Sequence, residues 1–236
     1  MKSGRKTIGW SLLWSLSATV LAAPLDAQML KGAVEQTDRA DELQVGAKFD
    51  QTLLPPNATR EFWYLVPPWA AGTWEHREVT VETSRGRSTG YDRGRETIGR
   101  QADAAGQIWD CILLPMTNSD EAASAVSVFI TRNQWVDNTH PDRLCFHSTG
   151  LEIRYAKKGR KVNLKKPFDQ ELCFLPQTDG RILQRNRDIV AGKIMSAQCY
   201  RVAPFTPVNE AAGHDLRQSL AQFLHSTGRD DLIPAQ

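Results

Sequence analysis

The chain has 236 residues, 41% of them hydrophobic and 24% charged, with 29 Lys and Arg against 27 Asp and Glu. That length fits one domain with extensions and is enough to bury a core without staples. A formal charge of only +2 excludes the strongly basic surface of a general nucleic-acid or anionic-membrane binder.

The chain opens on a basic stretch, Met1-Lys2-Ser3-Gly4-Arg5-Lys6. An apolar run from Ile8 to Ala23 follows, with small residues at Ala22, Ala23 and Ala27. Charge, apolar core and small residues in that order predict a secretory signal peptide over residues 1–27. The run is shorter than the roughly 20 residues a spanning helix needs. A periplasmic or secreted chain with no stable membrane span after cleavage is therefore expected. The leader carries Lys2, Arg5, Lys6 and Asp26 away, leaving 26 basic and 26 acidic residues. All four cysteines, Cys111, Cys145, Cys173 and Cys199, lie beyond it. Export brings them to an oxidising compartment, where an even count permits two disulfides in any of three pairings.

Residues 28–66 read as an N-terminal extension. Its first part is polar, without a sustained helical stripe. Asn57-Ala58-Thr59 matches the glycosylation pattern. Phe62-Trp63-Tyr64-Leu65-Val66 is densely apolar, and Pro67-Pro68 stops any regular element. The aromatic residues around Ala70-Ala71-Gly72 form either a plug at the end of a core or the wall of a pocket.

Residues 67–207 read as an antiparallel β domain. A strand is predicted over Trp74 to Thr83, with Val79, Val81 and Thr83 on one face. Ser84 to Gly94 is rich in glycine and arginine and reads as a solvated loop, since no helix start follows to make it a phosphate cradle. Short strand-like runs then recur: 97–101, 107–114, 125–132, 143–148, 151–155, 161–164, 171–175, 181–188 and 194–202. Turn signals such as His140-Pro141-Asp142, Lys157-Lys158-Gly159 and Thr178-Asp179-Gly180 separate them. Short spacing without intervening helices predicts a mostly β, antiparallel up-and-down barrel, with a sandwich as the other architecture. Residues 208–236 change character. Leu216, Leu220, Phe223 and Leu224 fall on one helical face, and Gly228 and Pro234 end the segment.

Gly72-Thr73-Trp74 at the start of a first strand resembles the Gly-x-Trp motif of lipocalins. That resemblance implies a closed eight-stranded barrel over about residues 67–226, with Trp74 packed at its base beside Gly72. It also implies an internal cavity for a small apolar ligand and an arginine of the last strand packed on the tryptophan; Arg187 and Arg201 are the candidates.

Catalytic chemistry is thin. His76, His140, His147, His214 and His225 are dispersed, and no local metal pair, nucleophile elbow or haem-attachment motif is present. Cys145 and His147 share a strand face, but a disulfide or core cysteine explains Cys145 more simply. Asp110 interrupts the apolar run Ile108 to Leu114. It must be paired or neutral, either recognising a ligand inside a barrel or bonding to a neighbouring arginine. No cofactor is expected, and an enzyme on a β-barrel is the least supported reading, because no catalytic set is visible. The leading functional expectation is an exported lipocalin-like barrel that binds a small apolar molecule, with Trp69, Trp74, Trp109 and Asp110 at the cavity. The alternative is a cell-envelope protein-interaction module with a filled barrel. Its working surface would be the extension, the Gly/Arg stretch or the terminal helix. An empty or a filled interior separates the two.

Overall fold

A computed structural model of the chain describes residues 38–55, 60–211 and 213–234. The expected signal peptide and the Asn57-Ala58-Thr59 match lie outside them. The protein is mostly β with one C-terminal helix, as the spacing of the runs predicts. Eight antiparallel strands form the main sheet: β2 (Gly72–Thr83), β3 (Gly86–Ile98), β6 (Met116–Glu121), β7 (Ala125–Asp137), β8 (Leu144–Ala156), β9 (Val162–Pro176), β10 (Ile182–Asp188) and β11 (Lys193–Ala203). Their spatial order is β3-β2-β11-β10-β9-β8-β7-β6, so the first and last strands of the meander pair and the sheet curls into a half-barrel. Among the described residues no ladder joins β3 to β6, and the full closure implied by the lipocalin resemblance is not reached.

A three-stranded sheet accompanies that opening. It consists of β1 (Arg60–Val66), β5 (Ile108–Leu114) and β4 (Gln101–Ala102), in the order β1-β5-β4. Pro115, after a cis peptide bond from Leu114, separates β5 from β6, so the chain passes from the small sheet to the large one within two residues. A two-residue hairpin, β12 (Glu210–Ala211) with β13 (His214–Asp215), leads into helix α1 (Leu216–Ser226).

Three apolar clusters hold these layers together. Between the two sheets lie Trp74, Ile112, Leu114, Phe146, Phe174 and Ile182, with Tyr64 and Trp69 at the margin. On the far side of the small sheet, Trp63 and Trp109 meet Leu216, Leu220 and Leu224 of α1. The expected stripe thus packs inside the molecule. Asp215 caps the helix by accepting from the Arg217 and Gln218 amides, at 3.0 Å each, which satisfies two orphan donors. A third cluster docks Leu43 and Phe49 of the N-terminal segment on Val128, Ile130 and Ile153. Among the described residues, no helix is long and apolar enough to cross a membrane.

Two glycine- or proline-bearing sites explain why the runs look shorter in sequence than the strands are. Residues 143–148 and 151–155 form one strand across Gly150, because a Cβ there would lie 1.9 Å from the Ile130 carbonyl oxygen. Lys161–Leu164 and Glu171–Leu175 likewise join across Pro167. The β9–β10 ladder stops at Gln170 opposite Asp188, so Pro167 lies on an edge where no donor is required. The stretch expected as a Gly/Arg loop is the 13-residue edge strand β3.

Cys145 and Cys173 face each other across β8 and β9, with Cα atoms 4.1 Å apart, and are disulfide-bonded. Cys111 and Cys199 are free thiols. Burial pushes each of them up to about 12. Titration of denatured, unreduced protein should therefore count two reactive thiols; four would remove the bond. Reducing this link over a separation of 28 residues should cost about 3–4 kcal/mol of stability.

Candidate functional site

The four residues expected around a ligand do not converge on one cavity. Trp74 is 2% exposed and donates its indole N–H to the Ala70 carbonyl at 2.7 Å. Gly72, at φ +130°, lets the chain pass under β11, where a Cβ would meet the Ala203 oxygen at 2.8 Å. Trp69 sits at the margin of the same cluster and donates to the Pro141 carbonyl at 2.8 Å. Of the two candidate arginines, Arg201 lies over Trp74, with its guanidinium carbon 4.7 Å from the ring centroid. It also donates to the Trp69 carbonyl at 2.6 Å. Trp109 belongs to the layer beneath α1, where its indole N–H bonds Asp103 at 2.9 Å and Phe223 meets its ring.

Asp110 stands opposite Tyr64 in the β1–β5 ladder. It accepts from the Gly99 and Cys111 amides at 2.9 and 2.7 Å, and from Arg100 Nε at 3.2 Å. The Tyr64 hydroxyl is a further partner. These donors are the answer to a carboxylate in an apolar strand, and they leave it committed to the protein. Burial still raises its pKa. Glu96 lies close enough for the two carboxyls to repel, and burial followed by that repulsion pushes Glu96 up to about 8. Gln184 donates to Glu96 at 3.4 Å and accepts from the Cys199 thiol at 3.4 Å. The result is a polar network between the sheets.

A second polar spot lies deeper along the half-barrel. His76 is 3% exposed and packs against the bare backbone of Gly94. Its Nε2 and the Asn186 Oδ1 have no hydrogen-bond partner and line a cavity of about 10 Å³. That is the space of a single water, not of a ligand. Burial lowers the His76 pKa, against the opposing pull of Asp92 and Glu75. Among the described residues, no group of three His, Cys, Asp or Glu is placed to hold a metal ion.

A wider concavity lies on the opposite face of the sheet. A groove of about 820 Å³ runs over the outside of β2, β11 and β10. Thr80, Leu183, Ser196 and Gln198 belong to its lining. They alternate along their strands with Val79, Ile182, Ala197 and Cys199, which face the core. Tyr91 and Tyr200, 78% and 48% exposed, stand along the groove. Arg77, Arg87 and Arg181 line it too, and Arg181 lies 5.6 Å from the Tyr200 ring centroid. The β2–β3 ladder shifts register between His76 and Glu78, so Arg77 and Glu78 are both exposed on this face. Glu75 is held by Arg93 at 3.2 Å and Arg77 at 3.4 Å, and the Arg93 hydrogen bond is the main cause of its lowered pKa.

Reading residues 84–94 as a loop hides this groove. The signal that finds it is the period-two series Arg87, Thr89, Tyr91, Arg93, Arg95, which puts these five side chains of β3 on one face. The intervening Gly90 and Gly94 are inward positions, not turns. No protein-family model matches the chain, and neither a curated protein nor a solved structure matches it.

Proposed function

We propose that the chain is an exported, lipocalin-like half-barrel that works as an interaction module of the cell envelope through its outer face. The observation that carries this reading is where the space lies. The concave side is occupied by the small sheet, whose Tyr64, Ile112 and Leu114 pack with Trp74, Phe146 and Phe174, whereas the outer groove measures about 820 Å³. Small-molecule sites usually occupy about 300–1,000 Å³. Kinship with lipocalins is supported by Gly72-Thr73-Trp74 at the start of β2, by the pairing of β2 with β11, and by Arg201 of β11 stacked on Trp74. Export is supported by the basic and apolar order of residues 1–27 and by the Cys145–Cys173 bond. Of the three candidate surfaces, the terminal helix spends its apolar face on Trp63 and Trp109. The former Gly/Arg loop supplies Arg87 and Tyr91 to the groove.

The test has two arms. Delipidated protein titrated with a fatty acid, an isoprenoid and a tetrapyrrole should give no saturable thermal shift. Retention on an immobilised envelope fraction should be lost in the double variant Tyr91→Ala/Tyr200→Ala and kept in Trp135→Ala, which lies outside the groove lining. A saturable apolar ligand whose binding weakens in Trp69→Ala would restore the carrier reading and reject this one.

A further inference from the structure

We propose that the outer groove binds an anionic saccharide, one bearing a carboxylate or phosphate, a ligand class that rests on the outer face being the working surface. The floor argues first for side-chain recognition. β2, β11 and β10 are each hydrogen-bonded to a strand on both sides, so their backbone groups are consumed by the sheet. A peptide that docks by adding a strand needs a free edge; the floor has none, and the free edge of β3 lies at the rim. What the floor offers is hydroxyls and amides, from Thr80, Ser196 and Gln198, with Glu78 as an acceptor. That set suits a ligand with many hydroxyl groups.

The walls argue for a ring. Tyr91 and Tyr200 present faces to solvent, and Arg181 holds one side of Tyr200. An aromatic face with a polar tip gives a flat apolar contact together with a hydrogen bond. The charge argues for an anion. Arg87 pairs with Glu82 at 3.6 Å and Arg181 with Asp179, whereas Arg77 and Arg93 share the single covered carboxylate of Glu75, which leaves Arg77, 71% exposed, with charge to spare. Arg95 stands opposite Glu75 in the ladder and adds a further positive charge on that row. A planar guanidinium matches carboxylate and phosphate geometry. Sugar hydroxyls would thus meet Thr80, Ser196, Gln198 and Glu78, a sugar face would lie on Tyr200, and the acidic group would pair with Arg77 or take the place of Asp179 on Arg181.

Calorimetric titration of the full chain with a galacturonic-acid tetramer and with a phosphorylated trisaccharide tests this. At least one should bind saturably. Its affinity should fall by about tenfold or more in Tyr200→Ala and in Arg181→Ala, stay near the parent value in Tyr200→Phe, and weaken with added salt as exposed charges are screened. A neutral maltotetraose should bind far more weakly. If neither anionic probe binds, or if an oligoglutamate of equal charge binds as well and ignores Tyr200→Ala, the ligand class is overturned. Envelope retention that still depends on Tyr91 and Tyr200 would then leave the interaction reading standing. Should Arg181→Ala lower the melting temperature, the contrast between Tyr200→Ala and Tyr200→Phe still decides.

Discussion

Replacing Trp74 by alanine will lower the unfolding free energy by about 3–5 kcal/mol in urea titrations, the cost of truncating a buried aromatic side chain. Trp74 is 2% exposed in the cluster between the sheets. Its removal opens a cavity beneath Arg201, whose guanidinium then loses the ring it covers. The Ala70 carbonyl also loses its 2.7 Å donor. Trp74→Phe keeps the apolar contact while losing the N–H, so it should fall between parent and alanine. A loss below about 1 kcal/mol for Trp74→Ala would mean that the ring carries no packing, and the lipocalin comparison would lose its motif.

The second large effect is a fall in stability at mildly alkaline pH. Glu96 has its folded pKa raised from 4.5 to about 8 by burial and by Asp110. Between those values the folded state binds more protons than the unfolded state, so stability decreases as pH rises and levels off above the folded pKa. At 1.36 kcal/mol per unit, the part of the window between about pH 6.5 and 8 amounts to about 2 kcal/mol. His76 acts in the opposite direction. Its folded pKa is lowered from 6.5, so its contribution is lost as pH falls below that value. Measuring between pH 6.5 and 8.5 keeps the two apart. Glu96→Gln should flatten the profile and exceed the parent in stability at pH 8.5 by about 2 kcal/mol or more. An unchanged slope in that variant would show that Glu96 is ionised and solvated in the folded protein.

Much of the local structure is legible residue by residue. The helix follows from Leu216, Leu220, Phe223 and Leu224, and its cap from Asp215. Strand identity follows from alternation, as in Leu151, Ile153 and Tyr155. Asp110 is marked as a site needing partners simply by interrupting an apolar strand. Where glycine and proline do not turn the chain, local reading misleads. Gly94 makes room for the His76 ring, Gly150 for the Ile130 carbonyl, and Pro167 sits beyond the end of the β9–β10 ladder. Each of these residues has the composition of a turn and the position of a strand, because the reason for it lies on another strand.

By itself, then, the sequence determined the antiparallel β class, the terminal helix and the cysteines available for pairing. These depend on period, on capping and on hydrophobicity, all of which act within a few residues of one another. Only the tertiary structure decided that β1 and β5 would fill the concave side, that Cys145 would meet Cys173, and that Trp109 would lie under the helix, away from Trp74. It also decided that Tyr91 and Tyr200 would share a groove although 109 positions separate them. Which strands become neighbours is set by pairing and by burial of one face against another. A strand's own alternation states that it has two faces and cannot say what will cover either.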